Sequence, residues 1–294
     1  MSWILLSISS YLLNAVASIV DKILVSKKIP HPLAYTFYVG LLSVFVLIFA
    51  PFGLKFPPAN ILIAALASGA IFLASLNFLF KSLVDGEPSR VFTGFGALTP
   101  FFTLILSAII LDQRLTLKEL SIFALLTASG LLILESKKKE FFYKQEFRKV
   151  FIAAFLFALS LVLAKFVYIN HSFLSGFIWT RLGSFFAALF LLVFPENRKR
   201  IFKASKNTRT KHKFILVANK VLAGISFILL NYAISNSKGN ICIISAMKGI
   251  EYGFIFILAI ILSYKFPRYL KEHLNRKTAI KKIVAILLIG IGLW

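Results

Sequence analysis

Cysteine is nearly absent: Cys242 is the only one in 294 residues, which excludes an internal disulfide. Acidic residues are scarce, with 11 Asp and Glu against 34 Lys and Arg. The four histidines, His31, His171, His212 and His273, lie in loops or at the edges of apolar runs. No HExxH pattern, paired acids or nucleophile–base spacing is present, so the chain is not expected to be an enzyme or to hold a metal or cofactor. A charged ring or filter motif, which a channel would need, is also missing. There is no polar stretch long enough for a separate soluble domain. The opening "MSWILLSISSYLLNAVASIV" lacks a basic n-region and a small-residue cleavage site, so it reads as a first span, not a signal peptide.

What fills the chain is apolar. Hydrophobic residues make up 59% and mean hydropathy is +0.86, where a soluble domain runs nearer half apolar. The runs are 2–20, 33–51, 60–80, 91–111, 117–135, 150–168, 173–194, 214–234, 241–262 and 278–294. Runs of this length read as membrane spans, and backbone amides in lipid must bond internally, so each is a helix. Short connections make neighbours antiparallel. The expected class is an all-α membrane protein with ten transmembrane helices.

The net charge of +23 would suggest nucleic acid on a soluble protein. Here the cations crowd between apolar runs, so no nucleic-acid partner is expected. Odd-numbered loops and their flanks hold 26 Lys and Arg; even-numbered ones hold 4, namely Lys55, Arg114, Lys118 and Lys238. The bias is 5 against 3 in the first half and 21 against 1 in the second. The positive-inside rule puts odd loops in the cytoplasm and both termini outside, in what is read as a prokaryotic cytoplasmic membrane. The basic stretch 195–213 is a topogenic loop that can also meet anionic lipid headgroups.

The two halves resemble each other. "YVGLLSVFVLIFAP" (38–51) aligns with "RLGSFFAALFLLVF" (181–194), matching Gly40 to Gly183. "SLNF" (75–78) aligns with "LLNY" (229–232), matching Asn77 to Asn231. "FTLILSAIIL" (102–111) aligns with "GFIFILAIIL" (253–262). Five spans is odd, so the second copy enters the membrane inverted, a signature of secondary transporters. The expected units are 1–140 and 141–294, two inverted five-helix repeats.

"LTPFFTLILSAIILDQRLTLKELSIFALLTASGLLIL" (98–134) resembles the end of an EamA repeat of the drug/metabolite transporter superfamily. Pro100, Asp112, Arg114, Leu115, Thr116 and Gly130 carry the resemblance, with Asp112 where the family more often has Glu. The second half departs: Glu251 falls where Pro100 stands, and "SYKFPRYLKEHLNRK" replaces the acidic-basic turn. The resemblance implies a ten-helix inverted repeat that carries small metabolites through a central cavity by alternating access. The superfamily's solutes are diverse, so it implies no particular substrate.

Five charges fall deep within apolar runs, all in the second half: Lys165, Arg181, Lys220, Lys248 and Glu251. A charge at helix centre costs roughly 2.5–3.5 kcal/mol on insertion scales, so each must face a partner, the bundle interior or a cavity. Lys248, Arg181 and Lys165 lie toward the even-loop side and are expected to converge on one vestibule. Lys220 enters from the opposite side and reads mainly as a snorkelling lysine. Lys248 and Glu251 stand at i, i+3, so a structural ion pair competes with a ligand site. Glu251 is also the candidate for proton coupling. Ser245, Lys248 and Tyr252 share one stripe, while Gly249 and Gly253 permit close helix packing.

Arg181 reads equally as a site residue or a clamp on backbone carbonyls. Asn14, Asn77 and Asn231 are intramembrane amides, for interhelical bonding or site lining. Thr99 and Pro100 are expected to break or kink span four. The candidate substrate-binding set is Lys248, Glu251, Tyr252, Ser245, Arg181, Lys165, Asn77, Asn231 and Asn14. Four interior cations against one anion favour a small anionic or carboxylate-bearing solute, an amino acid included. A flippase of lipid or lipid-linked solutes is the nearest rival, and a non-transporting scaffold a further one. Expected partners are a small-molecule substrate and membrane lipids, with the chain as a monomer or homodimer.

Overall fold

The computed structural model describes residues 2–27, 31–85, 88–134, 144–207, 210–237 and 241–265. The apolar run 278–294 and the boundary between halves at 140–141 lie outside the described residues. Helices form almost everything else: α1 Ser2–Lys27, α2 Pro32–Leu42, a 3-10 segment Ser43–Phe52, α3 Ala59–Asp85, α4 Pro88–Ile110 and α5 Leu117–Leu134. Then follow α6 Lys144–Asn170, α7 Phe173–Leu191, α8 Pro195–Asn207, α9 Thr210–Asn236, α10 Ile241–Ala246 and α11 Lys248–Lys265. Six stretches are long and apolar enough to cross a membrane: Trp3–Asp21, Pro32–Phe52, Ala59–Val84, Phe147–Asn170, Phe173–Leu191 and Phe214–Asn236. The protein is therefore a multi-pass α-helical membrane protein.

Local chemistry sets several boundaries. His31 caps α2 by accepting from the Leu33 amide at 3.2 Å through Nδ1, with Pro32 following at the first helical position. Thr116 and Glu119 open α5 as a capping box: the Thr116 amide donates to Glu119 Oε2 at 2.9 Å and the Glu119 amide donates to Thr116 Oγ1 at 3.3 Å.

Three elements differ from the expectation. Run 33–51 is α-helical only to Leu42 and then tightens into the 3-10 segment. There β-branched Val44, Val46 and Ile48 alternate with bulky residues, and Pro51 removes a backbone donor. The expected break at Thr99–Pro100 does not interrupt α4. Thr99 Oγ1 donates to Phe95 O at 2.6 Å and Thr103 Oγ1 to Thr99 O at 2.8 Å, tying the turns around the proline. The discontinuity falls instead in run 241–262, at Met247, between α10 and α11. The basic stretch after α7 is also partly helical. Ile201 and Ala204 of α8 are buried against Leu33, Phe37 and Ala188, while Phe202 stays exposed.

Small residues let backbones touch, as association in lipid requires. At Gly69 of α3 an added Cβ would lie 1.8 Å from Thr180 O, and at Gly183 of α7 one would lie 2.3 Å from Leu66 O. Ser184 Oγ donates to Gly69 O at 2.8 Å across the same crossing. Gly40 seats α2 beside the same crossing, where an added Cβ would lie 2.6 Å from Ala188 Cβ of α7 and 2.9 Å from Leu73 Cδ2 of α3. Two reciprocal serine clasps hold further pairs. Ser68 and Ser160 each donate to the other's carbonyl at 2.9 Å, joining α3 to α6. Ser10 and Ser226 do the same at 2.8 and 2.9 Å, joining α1 to α9.

Gly224 of α9 is the contrast, because an added Cβ there meets nothing within 4 Å. Gly183→Ala is expected to lower the thermal midpoint of the detergent-solubilised protein by several degrees. Gly224→Ala is expected to hold or raise it, since alanine is the better helix former by about 1 kcal/mol. Thermal unfolding of the two variants side by side checks this.

Candidate functional site

A cavity of about 630 Å³ lies between α1, the 3-10 segment, α3, α6, α7, α9 and α11. Its charged lining residues are Asp21, Arg181, Lys220, Lys248 and Glu251; the remaining wall is mainly aliphatic and phenyl. Six of the nine residues expected at the site line it: Asn14, Arg181, Ser245, Lys248, Glu251 and Tyr252.

The break at Met247 positions the centre of this wall. Tyr11 Oη of α1 donates to Ile244 O at 2.6 Å, one turn before Lys248 opens α11. Lys248 Nζ then lies over the rings of Phe95 at 4.8 Å and Phe157 at 4.5 Å. It makes no ion pair with Glu251, so of the two readings of their i, i+3 spacing the structural pair is not formed. Glu251 is only 3% exposed. Its Oε1 accepts from Ser18 Oγ at 3.0 Å, whereas Oε2 has no partner.

Arg181 is held in the same way as Lys248. Its guanidinium carbon stands 4.2 Å from the Phe227 centroid, 4.7 Å from Phe72 and 5.8 Å from Phe177, and Nε has no hydrogen-bond partner. It clamps no backbone carbonyl. Ring faces attract a desolvated cation by about 2 kcal/mol, but they accept no hydrogen bonds and carry no net charge. Both cations are thus sheltered and keep their donors free. Tyr252 Oη is also unpartnered. Its ring fits because residue 96 is glycine: a Cβ there would lie 2.6 Å from Tyr252 Oη. Ser245 Oγ pairs with Thr103 Oγ1 at 3.2 Å.

The other three expected residues lie off the cavity. Lys165 does not join Arg181 and Lys248 in one vestibule. It reaches the C-terminal end of α9, where Nζ donates to Ile234 O at 2.7 Å and Ser237 O at 2.5 Å. Carbonyls at a helix end lack intrahelical donors and favour a cation, which explains this lysine as a cap. Asn231 is an interhelical tie: its Oδ1 accepts from Tyr168 Oη at 2.8 Å and its Nδ2 donates to Phe227 O at 2.8 Å. Asn77 is half-buried off the cavity, with a buried, unbonded Oδ1.

Lys220 is not a free snorkelling lysine. Its Nζ forms an ion pair with Asp21 Oδ2 at 2.7 Å and lies 4.9 Å from the Tyr35 centroid. Tyr35 Oη also donates to Asp21 Oδ1 in a short hydrogen bond, and Asn219 Nδ2 donates to the same oxygen at 2.5 Å. This cluster binds α1, α2 and α9 together at one end of the cavity. Asp21 escapes a reading of the sequence because it ends an apolar run beside Lys22 and looks like a loop residue. The signal for it is Lys220, ten residues into its own helix and needing an anion. Among the described residues, no group of three or more His, Cys, Asp or Glu is placed to hold a metal ion.

No protein-family model matches the chain, and no curated protein does. A crystal structure of another protein is similar, with a TM-score of 0.68 at 15% identity, covering 99% of this chain and 94% of the other. At that identity the similarity is one of fold.

Caps and cavity cations differ in what their removal does. Lys165→Met takes a charged donor from the buried Ile234 and Ser237 carbonyls, leaving Ile234 O with only Ser237 Oγ, a loss of about 1–3 kcal/mol, and is expected to lower the thermal midpoint clearly. Lys248→Met removes a buried charge that has no acceptor and is expected to hold or raise it. Thermal unfolding of both variants reads the difference.

Proposed function

We propose that the protein is a secondary transporter of the EamA type, carrying an anionic organic solute across a prokaryotic cytoplasmic membrane by alternating access. The observation that carries this reading is the pair Arg181 and Lys248, which share one cavity and point no donor at any protein acceptor. An enclosed cation pair with free donors is built for carboxylate or phosphate oxygens. A scaffold without cargo would have satisfied these charges or dispensed with them, because a buried charge is costly where oil would serve.

The inverted-repeat organisation is supported by the packing. Exchanging the two halves turns the α1–α9 pair, first span with third, into the α6–α3 pair, and both carry a reciprocal serine clasp. The clasps agree with the register set by Asn77 and Asn231 to within about one helical turn. The break beside Lys248 supports a site there, since discontinuous helices form the sites of such carriers. The orientation, with odd loops cytoplasmic and both termini outside, rests on the loop charges.

Transport into proteoliposomes tests the reading. Carboxylate- and phosphate-bearing solutes are expected to compete for uptake, and Lys248→Gln and Arg181→Gln to reduce it at least about tenfold, the loss of one charge-assisted bond. Competition by neutral or cationic solutes but never by anions overturns it. Proton coupling through Glu251 predicts a pH-dependent rate in the wild type that flattens in Glu251→Gln. A rate indifferent to pH in both proteins defeats the coupling while leaving the anion site standing.

A further inference from the structure

We propose that the cargo is an anionic amphiphile, a phosphate- or carboxylate-headed molecule with an apolar chain, that enters sideways from the bilayer between the 3-10 segment and α9. This rests on the anion-carrier reading above and adds to it the kind of anion and its route.

The route follows from which cavity walls are exposed. Arg181, Lys248, Glu251 and Tyr252 are sheltered. The exposed lining residues lie on the 3-10 segment and α9, and nowhere else among the described residues. Phe45, Ile48 and Phe49 form one lip, at 60%, 66% and 39% exposure; Val217, Val221 and Ile225 form the other, at 43%, 60% and 48%. Not one is polar. Both lips fall within the membrane-crossing stretches Pro32–Phe52 and Phe214–Asn236, so the mouth opens at hydrocarbon depth. A vestibule for a hydrated solute would be rimmed by groups that hold water.

The cleft is a built gap. Elsewhere in the bundle, α3 and α7 meet backbone to backbone through Gly69 and Gly183. At the mouth, Gly224 leaves the α9 backbone facing open space. The wall that α3 contributes is apolar, with Leu76, Leu79, Phe80 and Phe72, while Asp21 and Lys220 are already paired with each other. A small hydrophilic anion would cross this wall after losing its water and gain nothing from it. A chain would cover it, and its far end would stay in lipid while the head sat between Arg181 and Lys248. The free donors face inward and the oily opening faces outward, which is the polarity of an amphiphile entering head first.

The test uses the full chain in lipid nanodiscs, photolabelled with an alkyl phosphate that carries a diazirine on its chain. Labelling is expected to saturate and to map to the lips, Phe45–Phe49 or Val217–Ile225. Dodecyl phosphate is expected to compete at least tenfold better than butyl phosphate, while uncharged dodecanol fails. Gly224→Leu fills open space, so the fold should survive, as an unchanged thermal midpoint would confirm. It is expected to cut labelling at least fivefold, yet leave protection of the purified protein by butyl phosphate intact. Lys248→Gln is expected to abolish both. If dodecyl and butyl phosphate compete equally and Gly224→Leu changes nothing, the cargo is a water-soluble anion: this inference falls and the carrier reading stands. Competition by dodecanol equal to that by dodecyl phosphate means general lipid contact and also overturns it. If neither phosphate binds, the carrier reading falls with it.

Discussion

A cation at membrane depth must be answered by something, and the way each one is answered organises this protein. Lys165 is satisfied by the carbonyls that end α9. Lys220 is satisfied by Asp21, itself fixed by Tyr35 and Asn219. Arg181 and Lys248 are answered only by phenyl faces. A ring face lowers the cost of the charge but leaves every N–H free. The first two arrangements complete themselves, as structural elements do. The last is complete only when something with oxygen atoms arrives, which is why the site is placed at Arg181 and Lys248 and not at every buried charge.

The helix packing puts that incomplete pair where a cargo can reach it. The α3–α7 crossing depends on Gly69 and Gly183, and side chains there would force the helices apart. With that flank shut, the cavity opens on the flank of α9 and the 3-10 segment. The 3-10 segment has eclipsed side chains and poorer hydrogen bonds than an α-helix, and the helix bearing Lys248 is broken at Met247. The 3-10 segment therefore meets the cavity with weaker backbone bonding, while the clasped helices α1–α9 and α3–α6 hold it in shape. On the inverted-repeat reading, the shut flank is a template for the open one. Gly224 lies within a residue or so of the position that Gly69 takes when the halves are aligned on Asn77 and Asn231.

Much of the fold is legible in the sequence because lipid leaves the backbone few choices. Nine apolar runs fall on helical segments, since any run of that length must bond its own amides. Breaks are harder to read. Pro100 has the look of one, but threonine hydroxyls on either side of it tie the turns together, whereas Met247 carries no mark in the sequence. At the site, Arg181, Lys248 and Glu251 are legible from their charge alone. Lys165 is misassigned to the vestibule because depth along a helix says nothing about the direction a side chain takes. The lateral mouth is not legible at all. It is made of Phe, Ile and Val, which look the same in sequence whether they face lipid, a neighbour or a cleft.

The charges on the cavity wall also limit what can bind. Asp21 and Lys220 cancel as an ion pair, leaving Arg181 and Lys248 against Glu251. With Glu251 ionised, the remaining wall carries one net positive charge, and a singly charged head group makes the site neutral. A doubly charged head group leaves one net negative charge on it. Electroneutrality in a low-dielectric site therefore favours a singly charged head group. Glu251 is thus the side chain on this wall that discriminates against excess negative charge.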